Sequence, residues 1–320
     1  MRSASSIHRR RFLAHTATAA AAGCLFTRAA ASGARRLSPI RIGAPVAGAP
    51  ADPEERALAH RKLGYRAAYC PPVGMNDMAR IREIERAFAK HDVVIAEVGR
   101  WCNLLDADPK RRAANLARVT EGLALADEIG ARCCVDIAGS YNTKVWYGPH
   151  PDNLSQRFFE ETVENARKII DAVKPKRAKF CFEMMGWALP DSPDAYLKLL
   201  KAVDRKAFGV HLDPCNLVNS PSRFYQNGRL IEECFRKLGP WIASCHAKDV
   251  AWDVEMQIHF REVTLGTGSL DYKTYLSCLA SQPGDPPPLM IEHMKGPKEY
   301  EQSRIHLFDL AKKIGVPIRS

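Results

Sequence analysis

After its first 36 residues the chain alternates short apolar runs with longer amphipathic ones. The apolar runs cover residues 40–46, 65–70, 93–98, 133–137, 179–184, 208–213, 242–248 and 289–293. They are rich in β-branched, aromatic and Cys residues, and Gly or Pro precedes several of them, which predicts strands. The segments between them carry helical patterns at 52–62, 77–90, 110–128, 154–173, 193–203, 221–237, 272–280 and 299–314. In the third of these, Leu116, Val119, Leu123 and Ala126 recur at three- and four-residue steps, the spacing of one helix face. Pro175, Gly239-Pro240 and Pro286-Pro287-Pro288 punctuate the helix ends. Eight strands, each followed by a helix, predict an α/β fold of the (β/α)₈ TIM-barrel kind over residues 37–320. The competing open, doubly wound sheet would bind its ligand at a Gly-rich first turn, and the first strand has no G-x-G-x-x-G.

Composition adds a second segment. The chain has 320 residues, 46% hydrophobic and 26% charged, with a formal net charge of +11. Residues 1–36 hold seven arginines and no acid, so without them 40 basic face 36 acidic residues, a net of +4. Such a balance predicts no nucleic-acid partner. Within the leader, Arg9-Arg10-Arg11-Phe12-Leu13 precedes a weakly apolar Ala-rich run and then small residues. This resembles a twin-arginine (Tat) export signal, which implies the Tat machinery as a partner and a periplasmic or extracellular location. The apolar run falls short of the ~20 residues needed to span a bilayer. The ten Cys show no C-x-x-C pair and no spacing of a small disulfide framework. Those inside apolar strand runs read as small buried hydrophobes.

The chemistry gathers at the ends of the last four predicted strands. Glu183, Asp213, His246 and Glu292 each close an apolar run, at intervals of 30, 33 and 46 residues. Each interval suits one strand-plus-helix repeat, the last with an insertion. In a parallel barrel, strand C-termini line the active site, so the four can converge on one point. Three crowded carboxylates would repel one another unless a cation joined them. Three oxygen ligands and one imidazole suit one divalent ion, Mn²⁺, Mg²⁺, Co²⁺ or Zn²⁺.

The segments F-E-M-M, V-H-L-D-P, S-C-H-A-K-D, G-T-G-S-L-D and M-I-E-H resemble the xylose isomerase-like barrel superfamily of sugar-phosphate isomerases and epimerases. The resemblance covers most of the chain after the leader. It implies that Glu183, Asp213, His246 and Glu292 bind one metal and that Glu183 and Glu292 also act as acid and base. The expected activity is a sugar or keto-sugar isomerase or epimerase, moving a proton through a metal-stabilised enediolate. His211 and Lys248, each two residues from a ligand on the same strand face, are candidate substrate contacts. So are Glu97 at the end of the third strand and Trp101, Trp146 and Trp187 in loops after strands. Arg261, before Gly266-Thr267-Gly268, resembles the family's substrate-binding Arg.

Many relatives place a His three residues after the strand-six Asp, where this chain has Asn216. That departure and the modest charge weigh against the endonuclease IV type of nuclease, which shares the barrel but needs more His and acidic ligands. A lyase or hydratase acting on oxidised (3-keto) sugars or glycosides would use the same metal–enolate chemistry. A non-catalytic carbohydrate-binding barrel would not need both Glu183 and Glu292. The expected partner is a small carbohydrate, and a homo-oligomer is compatible with the sequence.

Overall fold

A computed structural model describes residues 37–319 of the chain; the leader signal read from residues 1–36 lies outside the described residues. Eight parallel strands close into a barrel. They are β1 (Ile42–Gly43), β2 (Ala67–Tyr69), β3 (Val94–Gly99), β4 (Cys133–Asp136), β5 (Lys179–Glu183), β6 (Phe208–Leu212), β7 (Ile242–Ala247) and β10 (Leu289–Ile291). Around the barrel their order is β1-β10-β7-β6-β5-β4-β3-β2. No helix among the described residues is long and apolar enough to cross a membrane.

Local chemistry explains where the outer helices start and stop. The carboxylate of Asp52 accepts the Glu55 N–H at the start of α1 (Pro53–Lys62), and Asp77 accepts the Arg80 N–H before α2 (Met78–Lys90). Asp108 caps α3 (Pro109–Ile129), whose first residue is Pro. Ser155 caps α4 (Gln156–Val173) and Ser192 caps α5 (Pro193–Val203) in the same way. Each side chain satisfies an N–H that the helix cannot bond internally. α3 ends on Gly130 at φ +75°, a left-handed stop that Gly adopts without steric cost.

Two expected elements came out differently. The segment 221–237 is broken into α6 (Pro221–Tyr225) and α7 (Asn227–Leu238). Asn227 lies at the break, donating to the Phe224 and Ser269 carbonyls while its own oxygen accepts the Asp271 N–H. The insertion before the last barrel strand folds into an antiparallel hairpin, β8 (Asp249–Asp253) with β9 (His259–Val263). No Gly-containing turn marks the tip, where Val254 and Met256 are exposed, so the hairpin carries no turn signature in the sequence. The nine cysteines among the described residues are unpaired, and seven of them are buried, as thiols acting as small hydrophobes should be.

The barrel interior is narrow under the site. Gly43 is in register with Ala67 on one side and Met290 on the other. A Cβ on Gly43 would lie 2.4 Å from the Ala67 carbonyl oxygen and 2.7 Å from the Met290 sulfur, closer than atoms tolerate. Gly43→Ala should therefore lower stability by about 1–3 kcal/mol through overpacking. Chemical denaturation checks this, and an unchanged midpoint would contradict the register of β1.

Candidate metal centre

The period-two alternation of strands and their common direction bring four ionisable side chains to one end of the barrel. Glu183 is the last residue of β5, His246 lies near the end of β7, and Asp213 and Glu292 immediately follow β6 and β10. One donor atom from each of Glu183, Asp213, His246 and Glu292 lies within 4.8 Å of the other three. His246 Nδ1 is 2.9 Å from Glu183 Oε1, 3.0 Å from Glu292 Oε2 and 3.9 Å from Asp213 Oδ2.

Beneath this cluster is a second polar layer. Glu97 Oε1 accepts from His246 Nε2 at 3.1 Å, and its Oε2 accepts from His211 Nε2 at 2.9 Å and from the Ser244 hydroxyl at 3.0 Å. All of these groups are buried. A carboxylate has no proton to give, so Glu97 keeps the proton of His246 on Nε2. That leaves Nδ1 as the ring nitrogen that can offer a lone pair to an ion, the arrangement in which an outer carboxylate orients a ligating imidazole.

Lys248 is the other cation. Its Nζ is 2.9 Å from Glu292 Oε2, 3.1 Å from Asp213 Oδ2 and 3.7 Å from Glu183 Oε1. Burial would raise Glu183, but Lys248 and His246 outweigh it and hold the carboxyl down to about 2. Glu292 is held below the usual carboxylate range against its own burial, first by His246. Asp213 goes the other way, because burial and the adjacent Glu183 charge exceed the help from Lys248. His246 is driven well above its ordinary value by Glu292, Glu97 and Glu183, despite being buried.

These opposing shifts describe a site with more negative charge than its two monovalent cations neutralise. Asp213 Oδ2 and Glu292 Oε2 are buried without a well-formed hydrogen bond, held at ion-pair distance by Lys248 and, for Glu292, by His246 Nδ1 at 3.0 Å. Carboxylate oxygens so placed around one imidazole nitrogen fit a divalent cation. Hard oxygen donors with one nitrogen favour Mg²⁺, Mn²⁺, Co²⁺ or Zn²⁺ over thiophilic metals.

Above the cluster opens a cavity of about 460 Å³. Trp101, Trp146, Tyr147 and Trp187 form an aromatic wall, while Glu183, Glu292, Lys248 and Asn216 belong to the polar floor. The Trp187 indole N–H donates to the Tyr147 carbonyl at 2.7 Å, tying two of the loops together. Asn216, which replaces the expected His, donates to the Met184 carbonyl and accepts from Lys248.

The other sequence-derived candidates divide. Lys248 and Trp187 reach the cavity. Glu97, inside β3 rather than at its end, and His211 are buried below it, bonded to each other, and neither lines the cavity. Arg261 sits on the exposed hairpin strand β9, bonds Asp253 at 2.8 Å, and lines an adjoining cavity of about 250 Å³ with Glu262 and His293. The neighbouring G-T-G-S-L segment has a structural partner instead: Asp249 accepts the N–H groups of Gly266, Gly268 and Leu270. Glu262 and His293 line the cavity and were not singled out from sequence. Glu262 arrives on the unforeseen hairpin, and His293 follows Glu292 where period-two alternation would turn it away.

Comparison with known proteins gives the same architecture. The family profile described as xylose isomerase-like TIM barrel matches residues 58–310. A xylose isomerase-like TIM barrel protein from Mycobacterium smegmatis, solved in complex with magnesium, aligns with TM-score 0.59 and 18% identity over 86% of this chain and 97% of that one. The 3-keto-D-glucoside 4-epimerase of E. coli aligns with TM-score 0.60 and 13% identity over 84% and 99% of the two chains. Endonuclease IV from Thermus thermophilus aligns with TM-score 0.62 and 13% identity over 85% and 99%. At these identities the likeness is one of fold. No curated protein matches the chain by sequence.

Titration of the chelator-treated protein with Mn²⁺ should give about one tight site per chain. Glu97→Gln should weaken that site about 10- to 100-fold by releasing the orientation of His246. Equal affinity in the variant would show that Glu97 does not orient the ligand.

Proposed function

Given that the chain belongs to the xylose isomerase-like TIM barrel family, we propose that it is a metal-dependent isomerase or epimerase of a neutral sugar or keto-sugar. The observation that carries this reading is the pair Glu183 and Glu292. Both line the cavity, on β5 and after β10, and His246 Nδ1 lies between their oxygens at 2.9 and 3.0 Å. The intervening strands in the barrel are β6 and β7, so the two carboxylates approach the cavity from separated sides.

Such a pair can take a proton from a carbon next to a carbonyl on one face and return one from the other. Return to the same carbon inverts it; return to the neighbouring carbon moves the carbonyl. Glu183, Asp213, His246 Nδ1 and Glu292 would hold the divalent ion, which when bound supplies Lewis-acid stabilisation of the negative charge developing on the substrate oxygens. Lys248, at hydrogen-bonding range of the floor carboxylates, adds fixed positive charge on the same side. The aromatic wall offers apolar faces to a sugar ring and displaces water from the reacting carbons.

Charge narrows the substrate. The cavity exposes Glu183, Glu262 and Glu292, while its cations Lys248 and His293 are each engaged by carboxylates. A phosphate in this cavity would meet repulsion from these carboxylates, with both lining cations already engaged, which favours an unphosphorylated carbohydrate. The same surplus of acid beside the metal ligands disfavours a nucleic-acid substrate. Export by the Tat pathway, suggested by the leader's arginine pair, would place the protein outside the cytoplasm, where uncharged sugars are the commoner supply.

Incubating the Mn²⁺-loaded protein with neutral ketoses and 3-keto-glucosides in deuterated water should put deuterium on a substrate carbon. Glu183→Gln and Glu292→Gln should each lower turnover by about 10²–10⁴-fold. Release of water or an alcohol without carbon-bound deuterium would replace isomerisation with elimination, and full turnover in either variant would contradict the acid–base pair.

A further inference from the structure

The residue following Glu292 has an unusual backbone. His293 has φ +60°, and among the described residues the other non-glycine positions with positive φ are Asp92, Lys174 and Asp204. Lys174 and Asp204 are the C-caps of α4 and α5, and Asp92 comes directly after the C-cap of α2. Their left-handed conformation ends a helix, a common use. His293 ends no helix; it comes two residues after the last residue of β10. The cost of this conformation for a side-chain-bearing residue therefore has no capping return there.

What the turn does achieve is placement. Successive residues of an extended strand point to opposite faces, so Glu292 and His293 should diverge. The left-handed step instead sets both side chains on the same cavity. His293 Nδ1 lies 2.8 Å from Glu262 Oε2, and His293 Nε2 lies 3.7 Å from Glu292 Oε2. Glu262 comes from β9, so the hairpin is what carries the partner of His293 over the site. Glu262 Oε1 is also 3.7 Å from Lys248 Nζ. Glu262 and His293 are common to the cavity above the cluster and an adjoining one of about 250 Å³, so they stand at the passage between the two.

Resting on the carbohydrate reading of the site, we propose that His293 and Glu262 form a pair that recognises adjacent hydroxyls of the sugar beside the acid–base carboxylates. Glu262 holds the imidazole through Nδ1. Nε2 then faces the cavity, where a hydroxyl can bond it in either sense, because a hydroxyl both donates and accepts. The remaining Glu262 oxygen accepts from a second hydroxyl. A neutral polyol supplies both contacts; a phosphate or carboxylate would be repelled by Glu262.

The test measures binding of D-fructose, D-tagatose and a 3-keto-glucoside to the Mn²⁺-loaded full chain by calorimetry. For whichever sugar binds the wild type, His293→Gly and Glu262→Gln should each weaken affinity about tenfold, equivalent to about 1.4 kcal/mol. The double variant should lose less than the sum of the two single losses, because part of the effect of Glu262→Gln runs through the imidazole it holds. Mn²⁺ affinity should stay within about twofold, and His293→Gly should melt no lower than the wild type, since Gly takes the left-handed backbone without strain. His293→Asn, which also tolerates that conformation, serves if the Gly variant fails to fold. Unchanged sugar affinity in the single variants, or fully additive losses in the double one, would overturn the pair. Absence of sugar binding to the wild type would overturn the carbohydrate reading and the pair together.

Discussion

The structure turns on the convergence of buried carboxylates around a single imidazole. His246 is gripped from below by Glu97 and faces Glu183, Asp213 and Glu292 from above. Burying that much negative charge is costly, and each carboxylate needs a positive or hydrogen-bonding partner to stay ionised. The parallel barrel answers this by aiming the ends of adjacent strands at one point. The same convergence that creates the repulsion thus gathers a donor set that could hold a cation. Gly43 and the small Ala67 and Ala96 beside Met290 belong to the close-set interior beneath.

Much of this frame was legible in the chain. Each barrel strand coincides with an apolar run, and the four strand-end residues meet as their spacing implied. Runs bounded by Gly and Pro carry a strong local signal, and the 30- and 33-residue repeats allow little but a strand-helix-strand unit. Most observed strands are shorter than the runs: Asp213 and Glu292 fall just beyond the ladder, and Glu292 lines the cavity while Asp213 is buried beside it. Sequence periodicity reports burial, and those residues are shielded without being paired in the sheet.

The less legible parts depend on tertiary contacts. Glu97 closes an apolar run in the sequence, yet β3 continues to Gly99, and hydrogen bonds to His211, Ser244 and His246 hold Glu97 below the cavity. Arg261 was linked to Gly266-Thr267-Gly268 by proximity in sequence, whereas that loop is organised by Asp249 and Arg261 points to Asp253. Glu262 depends on a hairpin without a turn signature, and His293 on one left-handed residue that breaks strand alternation. Fold-level likeness adds no resolution here, since an epimerase and a nuclease align about equally well; function resides in the side chains grafted on the barrel.

On the proposed reading, Glu183, Asp213, His246 and Glu292 share one divalent ion, with Glu97 outside the coordination sphere. Anomalous diffraction from crystals grown with Mn²⁺, recorded around the manganese edge, addresses it most directly. One strong peak is expected within bonding distance of Nδ1 of His246 and of an oxygen from each of the three carboxylates. No peak in the barrel mouth, or one bound instead between Glu97, His211 and Nε2 of His246, would contradict it.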